Sequence, residues 1–188
     1  MSADPSAAHA AAPPVRVWDP VLRLCHWALA LAVLASWLTR HGAGLWHEWI
    51  GYAAGAVVAT RILWGFAGPG PARFSAFLRS PRATLRYARL ALRREEPRHL
   101  AHNPLGGWMA AALLATAALT VATGALYATD RYWGEQWLEE LHGASADALL
   151  GLAAAHLLGV AYTSLRHREN LVAAMLHGRK RPERPDNA

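Results

Sequence analysis

Residues 141–165 read LHGASADALLGLAAAHLLGVAYTSL, a run dominated by Ala, Gly, Leu and Val that holds His142 near one end and His156 well inside. The two histidines are 14 positions apart (156 − 142). In a helix that is about four turns, so they share one face to within about 40° and lie about 21 Å apart along the axis. The apolar core of a bilayer is about 30 Å thick. The segment is therefore long enough to span it while carrying two imidazoles at different depths. Ionisable side chains inside a membrane helix are costly and mark functional positions.

Three further runs match it, at about 22–39, 49–67 and 105–128, each near the ~20 residues that a spanning helix needs. The second run ends before Gly68-Pro69-Gly70-Pro71, and Asn103-Pro104 opens the third, with Pro104 in the first turn. Hydrophobic residues make up 54% of the 188 and charged residues 17%, with the charges gathered between the runs. The expected fold is an all-α integral membrane four-helix bundle over residues 15–182, with a loop at 68–103. An Ala/Pro/Ser-rich disordered tail at 1–14 precedes it, and a short tail at 183–188 follows. The first fourteen residues lack the charged and continuously apolar regions of a signal peptide. Cys25 is the one cysteine, which excludes an intramolecular disulfide and a cysteine-rich metal or iron–sulfur site, and no CxxCH occurs for covalent haem attachment.

Orientation follows from the arginines. The loop between the second and third runs carries Arg73, Arg79, Arg82, Arg86, Arg89, Arg93, Arg94 and Arg98, and the C-terminal region adds Arg166, Arg168, Arg179, Lys180, Arg181 and Arg184. The loop at 39–48 holds only Arg40, and that at 129–140 sets Arg131 against Asp130, Glu135, Glu139 and Glu140. Both termini and the long loop are expected in the cytoplasm. The net charge of +6 then reflects topology. No nucleic-acid motif accompanies it, so nucleic acid is not an expected partner. Trp37, Trp46, Trp49, Trp133 and Trp137 map to the outer boundary, and Trp18, Trp27, Trp64 and Trp108 to the inner one. Within 73–94, Phe74, Phe77, Leu78, Leu85, Leu90 and Leu92 recur at helical spacing among arginines. Two readings stay open there: an amphipathic helix on the anionic membrane lipid of the inner leaflet, or ordinary loop packing.

Depth pairs the histidines. His26 lies near the cytoplasmic start of the first run and His156 at the inner end of the fourth; His47 and His142 both lie near the outer boundary. Two imidazoles facing each other between helices suit the axial positions of a six-coordinate haem iron. Zinc wants a third or fourth ligand, which neither pair supplies. Small residues at Gly51, Ala54, Gly55, Ala146 and Ala153 leave room for a flat macrocycle, or serve close helix packing. His41 rivals His47 for the outer site. His99, His102, His167 and His177 fall in basic segments and are expected to be solvated or interfacial. Arg61, 14 positions after His47, is a buried charge placed to neutralise a propionate of the inner haem; snorkelling to anionic lipid is the competing reading.

Several strings resemble one known family: Arg16-Val17-Trp18-Asp19-Pro20 with Arg23 and His26-Trp27, His47-Glu48-Trp49-Ile50-Gly51-Tyr52, Arg61-Ile62-Leu63-Trp64-Gly65-Phe66, His102-Asn103-Pro104-Leu105-Gly106-Gly107-Trp108, and His167-Arg168-Glu169-Asn170-Leu171. Over about 15–182 they resemble bacterial di-haem b-type cytochromes, namely the cytochrome b561 type and the b subunit of nickel–iron hydrogenases. The resemblance implies two b haems ligated by His26, His47, His142 and His156. It also implies electron transfer between membrane quinone/quinol and a periplasmic or membrane redox partner, acting as a quinone oxidoreductase or an oxidoreductase subunit. The acidic outer loop could steer a basic c-type cytochrome, or be an ordinary solvated loop. Two alternatives remain: a membrane anchor for an oxidoreductase catalytic subunit such as a hydrogenase, and a haem-free transporter or scaffold with the paired histidines lining a path.

Overall fold

The computed structural model describes residues 13–42 and 44–182, so the expected tails lie outside the described residues except for Pro13 and Pro14. Seven α-helices run in chain order: α1 (Pro20–Thr39), α2 (Leu45–Ala67), α3 (Phe74–Phe77), α4 (Pro81–Leu92), α5 (Pro104–Tyr127), α6 (Gln136–Arg166) and α7 (Leu171–His177). Of these, α1, α2, α5 and α6 are long and apolar enough to cross a membrane. Their outward faces are apolar and bare, with Leu24 at 72% and Leu158 at 72% exposure. Water would not tolerate a surface this apolar, whereas lipid would.

Polar caps set the starts of α1, α5 and α4, whereas α2 and α6 begin without a side-chain cap bond. Asp19 accepts from Leu22 N at 3.0 Å, Asn103 from Gly106 N at 2.7 Å and Ser80 from Ala83 N at 3.3 Å. In each case proline follows as the first helical residue, where its missing N–H costs nothing. The longest helix is α6, whose 31 residues measure about 46 Å, so it projects beyond an apolar layer of about 30 Å. The 68–103 loop is broken rather than one helix: a 3-10 turn (Gly70–Ala72), the short α3, then α4 after Ser80-Pro81.

Packing follows chain order. Helix α1 lies on α2, α2 on α5 and α5 on α6; α1 and α6 share no comparable close approach among the described residues. Val58, Ala117 and Leu149 form the buried centre, with Leu29 and Val33 against it. At the arginine-rich end a second apolar cluster, Val17, Trp18 and Leu22, sits under the chain termini. There β1 (Val15–Arg16) pairs antiparallel with β2 (Arg179–Lys180). Gly178, at φ 79°, turns α7 into β2, and its carbonyl accepts from the N–H groups of Val17 and Trp18. Only glycine adopts that φ without strain. Arg98 and Lys180 close on Glu169 at 2.8 Å and 3.8 Å, tying the 93–103 segment to the same cap.

Candidate metal-ligating histidine pairs

The four histidines singled out by depth are brought together two by two. At the acidic end, His47 in the first turn of α2 faces His142 in α6, with ring centroids 6.2 Å apart. At the basic end, His26 of α1 faces His156 of α6, again with centroids 6.2 Å apart. Metal–imidazole bonds of about 2 Å, added to a ring radius of about 1.1 Å on each side, put two trans imidazoles about 6 Å apart. Both pairs therefore leave the space of one metal ion between their rings. Both also bridge helices that do not pack closely on each other, α1 with α6 and α2 with α6, which leaves a slot for a flat ligand.

The acidic-end rings are held in a defined tautomer. His47 Nδ1 lies 3.1 Å from the Ser36 carbonyl, and His142 Nδ1 lies 3.0 Å from the Thr120 carbonyl. A carbonyl only accepts, so each Nδ1 carries the proton and each Nε2 keeps its lone pair for a metal. Thr39 and Thr123 place their hydroxyls 3.4 Å and 3.3 Å from the same nitrogens. Gly124 completes the seat: a Cβ there would stand 2.9 Å from His142 Cε1. Of the two readings of Gly55, room for a macrocycle or close helix packing, the structure gives the second: it admits Val121, whose Cγ1 would stand 2.9 Å from an added Cβ. It serves the contact between α2 and α5.

The basic end is distinguished by unanswered donors. Arg23 Nε, Trp27 Nε1, Arg61 Nη1 and His102 Nδ1 are buried without a hydrogen-bond partner. Trp27 stands edge-on to His26 at 5.3 Å. Arg61 is 8% exposed, with its guanidinium over Phe74 and Phe77 at 5.4 Å and 5.9 Å. It points into the protein rather than out to lipid. Buried nitrogens left unpaired cost free energy, and a group of them fits an acidic ligand.

His102 departs from its expected solvated setting. Its ring is wedged between Trp18 and Phe77, at 4.8 Å and 4.9 Å. Burial, with the charge of Arg61 second, pushes its pKa down to about 4. His41 is exposed and accepts from Arg40 Nε at 3.0 Å, away from both pairs. His99 faces Tyr87 at 5.3 Å, and the exposed His177 accepts from Arg179 N.

Among the described residues, no group of three or more His, Cys, Asp and Glu could hold a metal ion. The protein thus offers two nitrogens per centre, and the rest of a coordination sphere must come with the metal, as a porphyrin provides. The family model described as prokaryotic cytochrome b561 matches residues 17–178, a span that includes all four paired histidines and Arg61. The chain belongs to the prokaryotic cytochrome b561 family. As a b561-type cytochrome it is a multi-pass helical membrane protein that binds b-type haem and takes part in transmembrane electron transfer. No curated protein and no solved structure matches the chain. The residues of this cytochrome fit the family's cofactor on three counts: the 6.2 Å ring separations, the Nδ1-bonded imidazoles of His47 and His142, and the unpaired nitrogens at the end that holds His26 and His156.

Proposed function

We propose that this cytochrome carries electrons across the bacterial inner membrane through two b haems, one held by His47 and His142 and the other by His26 and His156. The observation that carries the reading is the repetition of one spacing, 6.2 Å between ring centroids, at both ends of α6. When bound, haem iron supplies one-electron redox chemistry. The protein's part is to hold the imidazoles, exclude water and set nearby charge. Ser36 and Thr120 fix the outer ligands through Nδ1, a contact that raises the basicity of the metal-binding nitrogen. Arg61, with His102 beside the same Phe77 ring, would hold the carboxylates of the inner haem.

The arginine distribution supports a cytoplasmic location for both termini and for the α3–α4 segment. It puts the Arg61 end inside and the Asp130, Glu135, Glu139 and Glu140 end outside. Quinol and quinone are the proposed membrane partners. The exposed acidic residues suit a basic periplasmic partner such as a c-type cytochrome.

Haem content by pyridine haemochrome and reduced-minus-oxidised spectra tests the assignment. His142→Ala should remove one haem and His156→Ala the other. Loss of the same haem in both variants overturns the pairing, and a wild-type protein with one haem overturns the count. Arg61→Leu should lower the midpoint potential of the inner haem, since a buried cation favours the reduced state. Unchanged haem content and potential would remove Arg61 from the site.

A further inference from the structure

Helix α4 has three faces. Thr84, Tyr87 and Ala91 turn toward the bundle, with Tyr87 7% exposed. At 100° per residue, Leu85, Ala88 and Leu92 form a second face; Leu85 and Leu92 are bare at 54% and 87% exposure. Arg82, Arg86, Arg89 and Arg93 form a third, adjoining the second and exposed throughout. None of these four arginines makes an ion pair among the described residues. Of the buried Glu96 carboxylate nearby, Oε1 meets Arg166 at 3.4 Å and accepts from the Tyr162 hydroxyl at 3.1 Å, while Oε2 has no hydrogen-bond partner and none of the four arginines reaches it.

The apolar face does not end in open space. Ala88, Ala91 and Leu92 line one wall of a groove of about 500 Å³, and Leu105 of α5 with Tyr162 of α6 line the other, with Arg94 also on its lining. Leu105 is the second residue of α5, and Tyr162 lies one turn before the end of α6. The groove therefore opens where the spanning helices leave the apolar layer. Both ends of α4 are pinned across it. The Arg79 carbonyl accepts from Trp108 Nε1 at 3.0 Å before the helix, and after it the Arg94 carbonyl accepts from Arg166.

We propose that this groove is a binding site for one anionic phospholipid, with an acyl chain along Ala88, Leu92, Leu105 and Tyr162 and the phosphate against Arg89 and Arg93. Both requirements of such a ligand are met side by side: an apolar channel open to the membrane, and unpaired cations at the level where headgroups lie. The acyl chain is already in an apolar medium before it binds, so the groove selects shape while the arginines supply the preference for negative charge. Each arginine near the surface is worth about fivefold in affinity, so removing three weakens binding on the order of a hundredfold. The site does not depend on the haem count or on the electron partners.

The test is native mass spectrometry of the full-length haem-loaded protein, titrated with phosphatidylglycerol or phosphatidylcholine of matched chains. The expected result is a saturable one-to-one adduct with phosphatidylglycerol and at least tenfold less with phosphatidylcholine. R86Q/R89Q/R93Q should bring phosphatidylglycerol down to the phosphatidylcholine level, and Ala88→Trp, which fills the groove, should abolish the saturable adduct. Absorption of the bound haem, unchanged in both variants, reports that the fold is intact. Equal adducts of the two lipids in the wild type overturn the proposal, and that comparison needs no variant to fold. Binding unaffected by either variant overturns it too, and would leave the arginine stripe to an acidic protein partner.

Discussion

Gly124→Ala isolates the seat of one histidine from the rest of the bundle. In the middle of a helix this change alone stabilises by about 0.5–1 kcal/mol, because alanine is the better helix former. Here the added methyl would stand 2.9 Å from His142 Cε1 and 3.1 Å from Nδ1, against a preferred carbon–carbon contact of about 3.5–4.0 Å. The ring must retreat by about 0.6 Å to reach the near edge of that range. Its Nδ1 is bonded to the Thr120 carbonyl at 3.0 Å, and a shift of that size is a large fraction of a metal–nitrogen bond of about 2 Å. Overpacking of this kind costs about 1–3 kcal/mol, which corresponds to about 5- to 150-fold weaker haem retention at this pair. The helix gain and the ring's loss thus act on different observables. Pyridine haemochrome per mole of protein should fall toward half, the haem at His26 and His156 should keep its spectrum and potential, and the apoprotein, whose ring is free to turn aside, should lose less stability than the haem-loaded protein. Gly151→Ala is the control: it lies half a turn around α6 from His142, and an added Cβ there meets nothing within 4 Å. Full haem content with unchanged potentials in Gly124→Ala would refute the idea that this glycine seats the ligand.

Two further outcomes follow from the basic end. Asp19→Ala removes both the cap bond to Leu22 N and the acceptor of Trp64 Nε1, each 3.0 Å long; a loss of about 1–3 kcal/mol is expected, read by thermal denaturation in detergent, with Asp19→Asn recovering most of the cap. His102 has its pKa pushed from 6.5 to about 4, so between those values the unfolded chain takes up a proton that the folded chain refuses. Stability of the haem-free protein should accordingly fall as pH drops from 6.5 toward 4, by at most about 3 kcal/mol, and His102→Asn should flatten the pH dependence of its melting over that window.

Sequence alone made the spans legible because composition and the arginine bias are strong, one-dimensional signals. The ring pairs were legible for a related reason: helical rise converts position into depth, and depth leaves His156 only His26 and His142 only His47 or its neighbour His41. Geometry was needed to set His41 aside, since its side chain turns to Arg40. The missed features depend on contacts between distant segments. His102 reads as a loop residue until Trp18 and Phe77 are seen on either side of it. Gly124 reads as one more small residue in an apolar helix, and only the approach of His142 from α6 gives it a role. The break at Ser80-Pro81 was visible as a cap-and-proline signal, yet the arginine-rich periodicity ran across it and hid it. The two-residue strands are too short to carry a pattern of their own.

The four long helices pack chiefly in a row, α1 on α2, α2 on α5 and α5 on α6, and haems held by His26 with His156 and by His47 with His142 would join α6 back to α1 and α2. Held in that way, the cofactor would close the bundle as well as serve as its redox centre. A chain made when haem is scarce would enter the membrane with its helical hairpins formed and one seam unsealed, leaving the paired imidazoles and the unpaired donors of Arg61 and Trp27 facing a gap. Ligand bound at a hundred times its dissociation constant adds about 2.7 kcal/mol to the folded state, so haem supply would set how long each copy survives membrane proteolysis. Cofactor availability would thereby govern the abundance of this cytochrome without any dedicated regulator.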